Sequence, residues 1–511
     1  MFWADEVALE LKKRKLPLEW VDDMKTPSGK IHVGALRGVV IHDLAYKSLK
    51  DVGVKAKYTY IFDNHDPMDS LPIYLPKEYE KYLGLPLFKV PSPEKGFANY
   101  AEFYAKDFIN VFTKIGCTPE ILWSTDLYLS GKMNGSIKEV LEKADKIRKI
   151  YEEMYKKELP KNWYPFQPYC PNCTKVSTTS ATSWDGEKVH MVCGIDKVNW
   201  TKGCGFEGDI SPFSDKNGIV GKLPWKIEWA VKWKVVGITV EGAGKDHMSK
   251  GGSHDLADEI CKRIINYPTP YPLGYEFFLI GGKKMSSSKG LGSSAAEILD
   301  ILPAELLRFL MVKTKLNRAI DFDPSGDTIP NLFDEYQKSA DAYFSRSASG
   351  GDKTNDDLAR IFELSQISKV IKPPTVRFSV LCQWVQMPNM EEEIKKEGLE
   401  DWAKYAKNWV EKYASESERF TIQKELPKEA KSLSKEQKEV LEKIANELGK
   451  KWDGEEFQTR IYELGKELGL NGKQTFAAIY LSLIGKDHGP KAAWLILSLD
   501  KDFVRKRFNE V

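Results

Sequence analysis

Between residues 17 and 63 the chain reads strand, glycine-containing loop, helix, strand, and that order restricts the fold more than any other feature of the sequence. The run PLEWVDDM has β character, and KTPSGKIHVG is a loop. In ALRGVVIHDLAYKSLKDVG, Leu36, Val40 and Leu44 recur at helical spacing, and Gly53 is placed to close the helix. KAKYTYIFD then resumes strand character. Two strands joined through a helix lie parallel, and parallel sheets need helices on both faces. Further on, EILWSTDLY reads as a buried strand, and SIKEVLEKADKIRKIYEEMYKKEL as a helix opened by a capping box of Ser136 and Glu139. The expected fold is α/β, a doubly wound, Rossmann-like parallel sheet.

At 511 residues the chain exceeds what one core supports, at ~100 to 200 residues per domain, so three or four units are expected. Residues 165–212, rich in Cys, Asn, Thr, Gly and Pro, interrupt the α/β pattern as an insertion. The pattern resumes at KLPWKIEWAVKW and ends near RAIDFDP, so 1–330 form one domain. Beyond residue 331 only helical periodicity remains, with all-α domains expected over 331–400 and 401–511. With 76 basic and 74 acidic residues, the net charge of +2 neither requires nor excludes a nucleic-acid partner. No apolar run reaches the ~20 residues that span a bilayer, so no membrane partner and a cytoplasmic location are expected.

Two loops carry the chemistry. In TPSGKIHVG, Thr26, Ser28, Gly29, His32 and Gly34 stand between a strand and a helix N-terminus, where free N–H groups favour phosphate. Some 250 residues later the apolar run YEFFLI leads into GGKKMSSSKG, which offers hydroxyl, ammonium and main-chain N–H groups to an anion. Either loop alone also fits a solvated surface turn.

Taken together and in this order, the two loops resemble the HIGH and KMSKS signatures of class I aminoacyl-tRNA synthetases. TPSGKIHVGALRG, LPWKIEWAVKW, GKDHMSKGGSHD, YEFFLIGGKKMSSSKG and PAELLRFLMVKTKLNRAIDFDP narrow the resemblance to class I lysyl-tRNA synthetase, as does the ending AAIYLSLIGKDHGPKAAWLILSLDKDFVRKRF. The resemblance implies activation of L-lysine by ATP with Mg2+ and its transfer to tRNA(Lys). Lys284 and Lys289 would neutralise the β- and γ-phosphates, with Met285, Ser286, Ser287 and Ser288 shaping the loop. Thr26, Pro27, Ser28, Gly29, His32, Gly34 and Ala35 would hold the nucleotide from the other side, together with Gly244 and Asp246. Thr26, Trp225, Trp229, His247 and Tyr275 would line the lysine pocket. Residues 331–400 would contact the tRNA stem and 401–511 its anticodon. A monomer is the expectation for this class.

Cys170 and Cys173 form a CxxC, and Cys193 and Cys204 follow, so four thiolates are available for Zn2+, although the ten residues between the last two exceed the usual ribbon spacing. His190 is an alternative fourth ligand. Cys117, Cys261 and Cys382 read as core residues. Trp225, Trp229 and Trp233 are spaced four apart, so at least one should pack a helix against the sheet. The chain departs from the family pattern in several places, and FDNHDPMD, where the family has WDDxD, keeps Asp63 and Asp66. Ala35 replaces the polar last residue of HIGH, and Met24 stands where a glycine is common. Two rivals remain: a synthetase for another amino acid such as glutamate, which would want an arginine in the pocket, and a non-catalytic RNA-binding paralogue.

Overall fold

The computed structural model describes residues 1–282, 294–345 and 353–511. Its contacts divide the chain into two compact units: residues 1–299, 304–322 and 345–370, and residues 300–303, 323–344 and 371–511.

The first unit is built on a five-stranded parallel sheet. β1 (Glu19–Lys25), β2 (Ala56–Phe62) and β3 (Glu120–Trp123) run outward on one side, and β4 (Val240–Gly244) and β5 (Tyr271–Tyr275) on the other, giving the order β5-β4-β1-β2-β3. The strand order reverses between β1 and β4. Such a switch point opens a crevice at the carboxyl ends of the strands. Helix α1 (Gly34–Asp51) connects β1 to β2 and ends as its sequence predicts: Gly53 takes a φ of +77°, and the N–H groups of Gly53 and Val54 reach back to Lys50 and Leu49.

Each sheet face has its own core. Val21, Ile41, Ala45, Leu49, Tyr58, Val240 and Leu273 pack on the α1 side. On the opposite side, Ile61 and Ala243 meet Trp229 and Trp233 of helix α2 (Trp225–Val236), with Leu256 and Ile260 beyond. The tryptophan stripe grades steeply: Trp233 is fully buried, Trp229 nearly so, and Trp225 is 46% exposed.

Two local readings change. Only Glu120–Trp123 of EILWSTDLY is strand; Ser124–Leu129 is helical, because the Ser124 hydroxyl and the Thr125 N–H both bond to Asn64 Oδ1 and turn the chain off the sheet edge. The long helix is two, Asn134–Glu142 and Ala144–Tyr155, broken at Lys143, whose ammonium is drawn to Glu139 and the Ile264 carbonyl. Ser136 is buried inside the first of these, so it caps nothing.

Within 165–212, three antiparallel strands, Thr179–Trp184, Val189–Cys193 and Glu207–Ile210, form a separate small sheet. After β5 come β6 (Phe278–Ile280) and β7 (Ile320–Phe322), which pair parallel to one another.

The second unit contains no strand among the described residues. Phe333 stacks on Phe378 at 3.8 Å between centroids and meets the edge of Trp402. Towards the carboxyl end, capping boxes Ser434/Gln437 and Asn471/Gln474 open two helices. Gly465 permits a close helix crossing, since a Cβ there would lie 1.9 Å from Thr475 Oγ1. No helix of the described residues is long and apolar enough to cross a membrane.

Candidate active site

The first loop, residues 26–33, leaves the carboxyl end of β1 and enters α1, as its sequence order requires. Thr26, Ser28, His32, Gly34 and Ala35 are partly exposed there, while Pro27 and Gly29 are buried. Two tyrosines that sequence reasoning did not single out shape this loop: Tyr100 donates its hydroxyl to the Ser28 carbonyl at 3.0 Å, and Tyr74 Oη accepts from the Lys30 N–H at 2.6 Å. The segment holding Lys284, Met285, Ser286, Ser287, Ser288 and Lys289 lies outside the described residues. Its flanks do not. Ala295 donates to the Ile31 carbonyl at 2.9 Å, and Ser294 makes an antiparallel bridge with His32. The two motifs thus meet at their bases.

Across the switch point, Gly244 ends β4, and Asp246 and His247 lie in the turn of helix that follows. His247 presents its ring to the edges of Trp225 and Trp229, at 5.8 and 6.1 Å between centroids. Tyr275 ends β5 and packs on the α1 face. Its hydroxyl and Asp23 Oδ2 converge on Gly38, where a Cβ would lie 2.6 and 2.9 Å from them. Only glycine fits position 38. His42 ties α1 to the switch point by donating from Nδ1 to the Gly38 carbonyl and accepting the Gly242 N–H at Nε2.

Beneath these groups lies a buried polar network built on Asp63 and Asp66. Asp66 accepts from Thr26 Oγ1 at 2.5 Å and from Lys222, which also reaches Glu228 at 3.0 Å. Lys232 pairs with Asp63, and His65 Nε2 stands 2.7 Å from Glu228. Burial alone would raise both acids, yet Lys222 holds Asp66 below its ordinary value, and His65, Lys222 and Lys232 hold Glu228 well below. These carboxylates therefore support the fold above their unfolded values, and that support is lost as pH falls into the acid range.

A second pair behaves oppositely. Asp22 and Glu241 stand opposite each other in the register of β1 and β4, both buried. Glu241 accepts from the indoles of Trp229 at 2.8 Å and of Trp233, and Asp22 accepts from Thr59. Burial pushes Glu241 up to about 8, and burial together with Glu241 raises Asp22 well above the usual carboxylate range. Here the unfolded chain releases its proton near 4.5 while the folded chain keeps it until about 8, so stability falls as pH rises through that window. Glu241→Gln is expected to flatten this fall, read as the change in denaturant midpoint between pH 5.5 and 8.5. An unchanged slope would show that Glu241 does not carry the proton.

Beside the small sheet, the sulfurs of Cys170, Cys173, Cys193 and Cys204 all lie within 4.8 Å of one another, with Cys170–Cys204 at 3.4 Å and Cys173–Cys193 at 3.7 Å. A tetrahedral zinc with Zn–S near 2.3 Å sets its sulfurs about 3.8 Å apart, so the four fit that ion. His190 is not among them, and its Nδ1 faces Asp209 at 2.8 Å. Cys117, Cys261 and Cys382 are buried, as core residues should be.

The sequence pattern described as "tRNA synthetases class I (K)" matches residues 1–368, and the pattern "Anticodon binding domain" matches residues 397–511. "Lysine--tRNA ligase 1" of Methanosarcina acetivorans is 34% identical, the match covering 100% of this chain and 98% of that protein. "Lysine--tRNA ligase" of Thermoplasma acidophilum is 33% identical over 100% of this chain and 99% of that protein. The protein of the same name from Archaeoglobus fulgidus is 32% identical, covering 99% of each.

Proposed function

This chain belongs to the class I lysyl-tRNA synthetase family, and on that premise we propose how its own residues carry the reaction. The enzyme is a lysine–tRNA ligase. A lysine carboxylate oxygen attacks the α-phosphorus of ATP, the bond from that phosphorus to the bridging oxygen breaks, and pyrophosphate leaves with the electron pair. A terminal ribose hydroxyl of tRNA(Lys) then attacks the adenylate carbonyl, and AMP departs.

The first step needs positioning and charge stabilisation more than proton transfer. We assign nucleotide contacts to Thr26, Pro27, Ser28, Gly29, His32, Gly34, Ala35, Gly244 and Asp246. The ammonium groups of Lys284 and Lys289 stabilise charge developing at the phosphates, with Met285, Ser286, Ser287 and Ser288 shaping their loop. Mg2+ bound with ATP would supply further charge neutralisation at the leaving pyrophosphate. Trp225, Trp229 and His247 supply aromatic walls for the lysine side chain, with Thr26 and Tyr275 at its borders.

The observations that support lysine over glutamate are the full-length match to lysine–tRNA ligases and the aromatic lining formed by Trp225, Trp229 and His247, whose π faces suit a cationic side chain. The nearby guanidinium of Arg37 is spent on main-chain carbonyls.

For the remaining parts we assign residues 1–330 to catalysis, 331–400 to the tRNA stem and 401–511 to the anticodon. In the last of these, the basic run KDFVRKRF is not an open cationic face. Arg507 is buried against the carbonyls of Ser482, Gln423 and Lys424, and Arg505 pairs with Asp502. The assignment is tested by charging: with ATP and lysine, the full chain should esterify tRNA(Lys), visible as an acid-gel shift, and should fail with glutamate. Charging with glutamate alone would overturn it.

Zinc is assigned to Cys170, Cys173, Cys193 and Cys204 at one ion per chain. Protein purified without added zinc should contain it, and Cys170→Ser should lose most of it. Unchanged zinc in that variant would place the metal elsewhere.

A further inference from the structure

Arg37 lies in the first turns of α1, just past the first loop, and is 1% exposed. A buried guanidinium is expensive, and burial pushes this one down to about 10 even with Tyr275 and Glu276 nearby to favour its charge. Its Nη atoms donate to four main-chain carbonyls: Phe277 at 3.4 Å, Lys315 at 3.0 Å, Leu316 at 3.4 Å and Arg318 at 2.7 Å. These acceptors share one property. Phe277 immediately precedes β6, while Lys315, Leu316 and Arg318 form the turn that leads into β7.

One cation thus fixes the entry of both strands against the helix that begins at the first loop. β6 continues through Gly281 to Gly282, whose N–H bonds to Asp321 Oδ1 of β7 at 2.8 Å. Beyond Gly282 the sequence runs to Lys284 and Lys289. On the far side of that stretch, Ala295 is bonded to Ile31 in the first loop.

Resting on the function proposed above, we infer that Arg37 is a positioning residue for activation: it sets where the strand leading to Lys284 and Lys289 starts relative to the nucleotide-binding loop. A rigid planar fork can serve four carbonyls at once. A lysine ammonium has three donors on a flexible stem and cannot hold the same set.

The test uses the full chain with Arg37→Lys and Arg37→Met in lysine-dependent ATP–pyrophosphate exchange. A misplacement of about 1 Å costs roughly tenfold to a hundredfold, so kcat/KM for ATP should fall by that factor while the KM for lysine stays within about twofold. Arg37→Lys should then cost less than about twofold in a Lys284→Ala background, because both changes act on one segment. The same loss in both backgrounds, or equal changes in KM for ATP and lysine, would mark Arg37 as structural only and overturn the inference. Should Arg37→Met fail to fold, Arg37→Lys decides alone. Wild-type exchange that does not depend on lysine would instead overturn the proposed function, and this inference with it.

Discussion

Lys284→Ala and Lys289→Ala are each expected to slow lysine-dependent ATP–pyrophosphate exchange, at least one of them by about 10²-fold in kcat, comparable to removing one oxyanion donor. The KM for lysine should stay within about twofold, because these ammonium groups act on charge that develops at the phosphates during attack. The flanks support the role: the bonded pairs Ala295–Ile31 and Ser294–His32 bring the base of the lysine-rich segment to the loop that receives the helix N-terminus. Steady-state exchange measured at varied ATP and varied lysine checks it. A loss shared equally between lysine KM and kcat in both variants would contradict the assignment.

The second large effect concerns tRNA. Changing one anticodon base of tRNA(Lys) is expected to lower kcat/KM for charging roughly thirty-fold, since stacking and edge contacts to a splayed base contribute about 2 kcal/mol. The full chain is the right material, because Trp402 and Trp409 pack on Phe333 and the Pro324 carbonyl, and a cut near residue 400 would open that core. Charging that ignores the anticodon would show that residues 401–511 do not read it.

The parallel sheet was legible because βαβ order and hydrophobic period agree locally over residues 17–63. The cysteine cluster was legible because ligand chemistry needs only residue type and rough spacing, and the strand pairing Thr179↔Cys193 brings the distant third thiol back to the CxxC. What stayed hidden depends on long-range partners. Lys222 and Lys232 are buried because Asp63 and Asp66, from the turn after β2, come to meet them, with Glu228 beside them in α2. Arg37 reads as one more helix residue, and its four acceptors are about 240 to 281 positions away. The break at Lys143 has the same origin, an acceptor at Ile264. The register of Tyr275 in β5 follows from the strand's sequence, but its packing on the α1 side follows from the sheet's order.

The central claim is that this site activates lysine. ATP–pyrophosphate exchange run side by side with all twenty amino acids tests it most directly. Lysine alone should drive exchange, at least about 10²-fold above glutamate, because the aromatic faces that attract a cationic side chain offer nothing to an anionic one. Exchange driven by glutamate or another amino acid as well as by lysine would contradict the account.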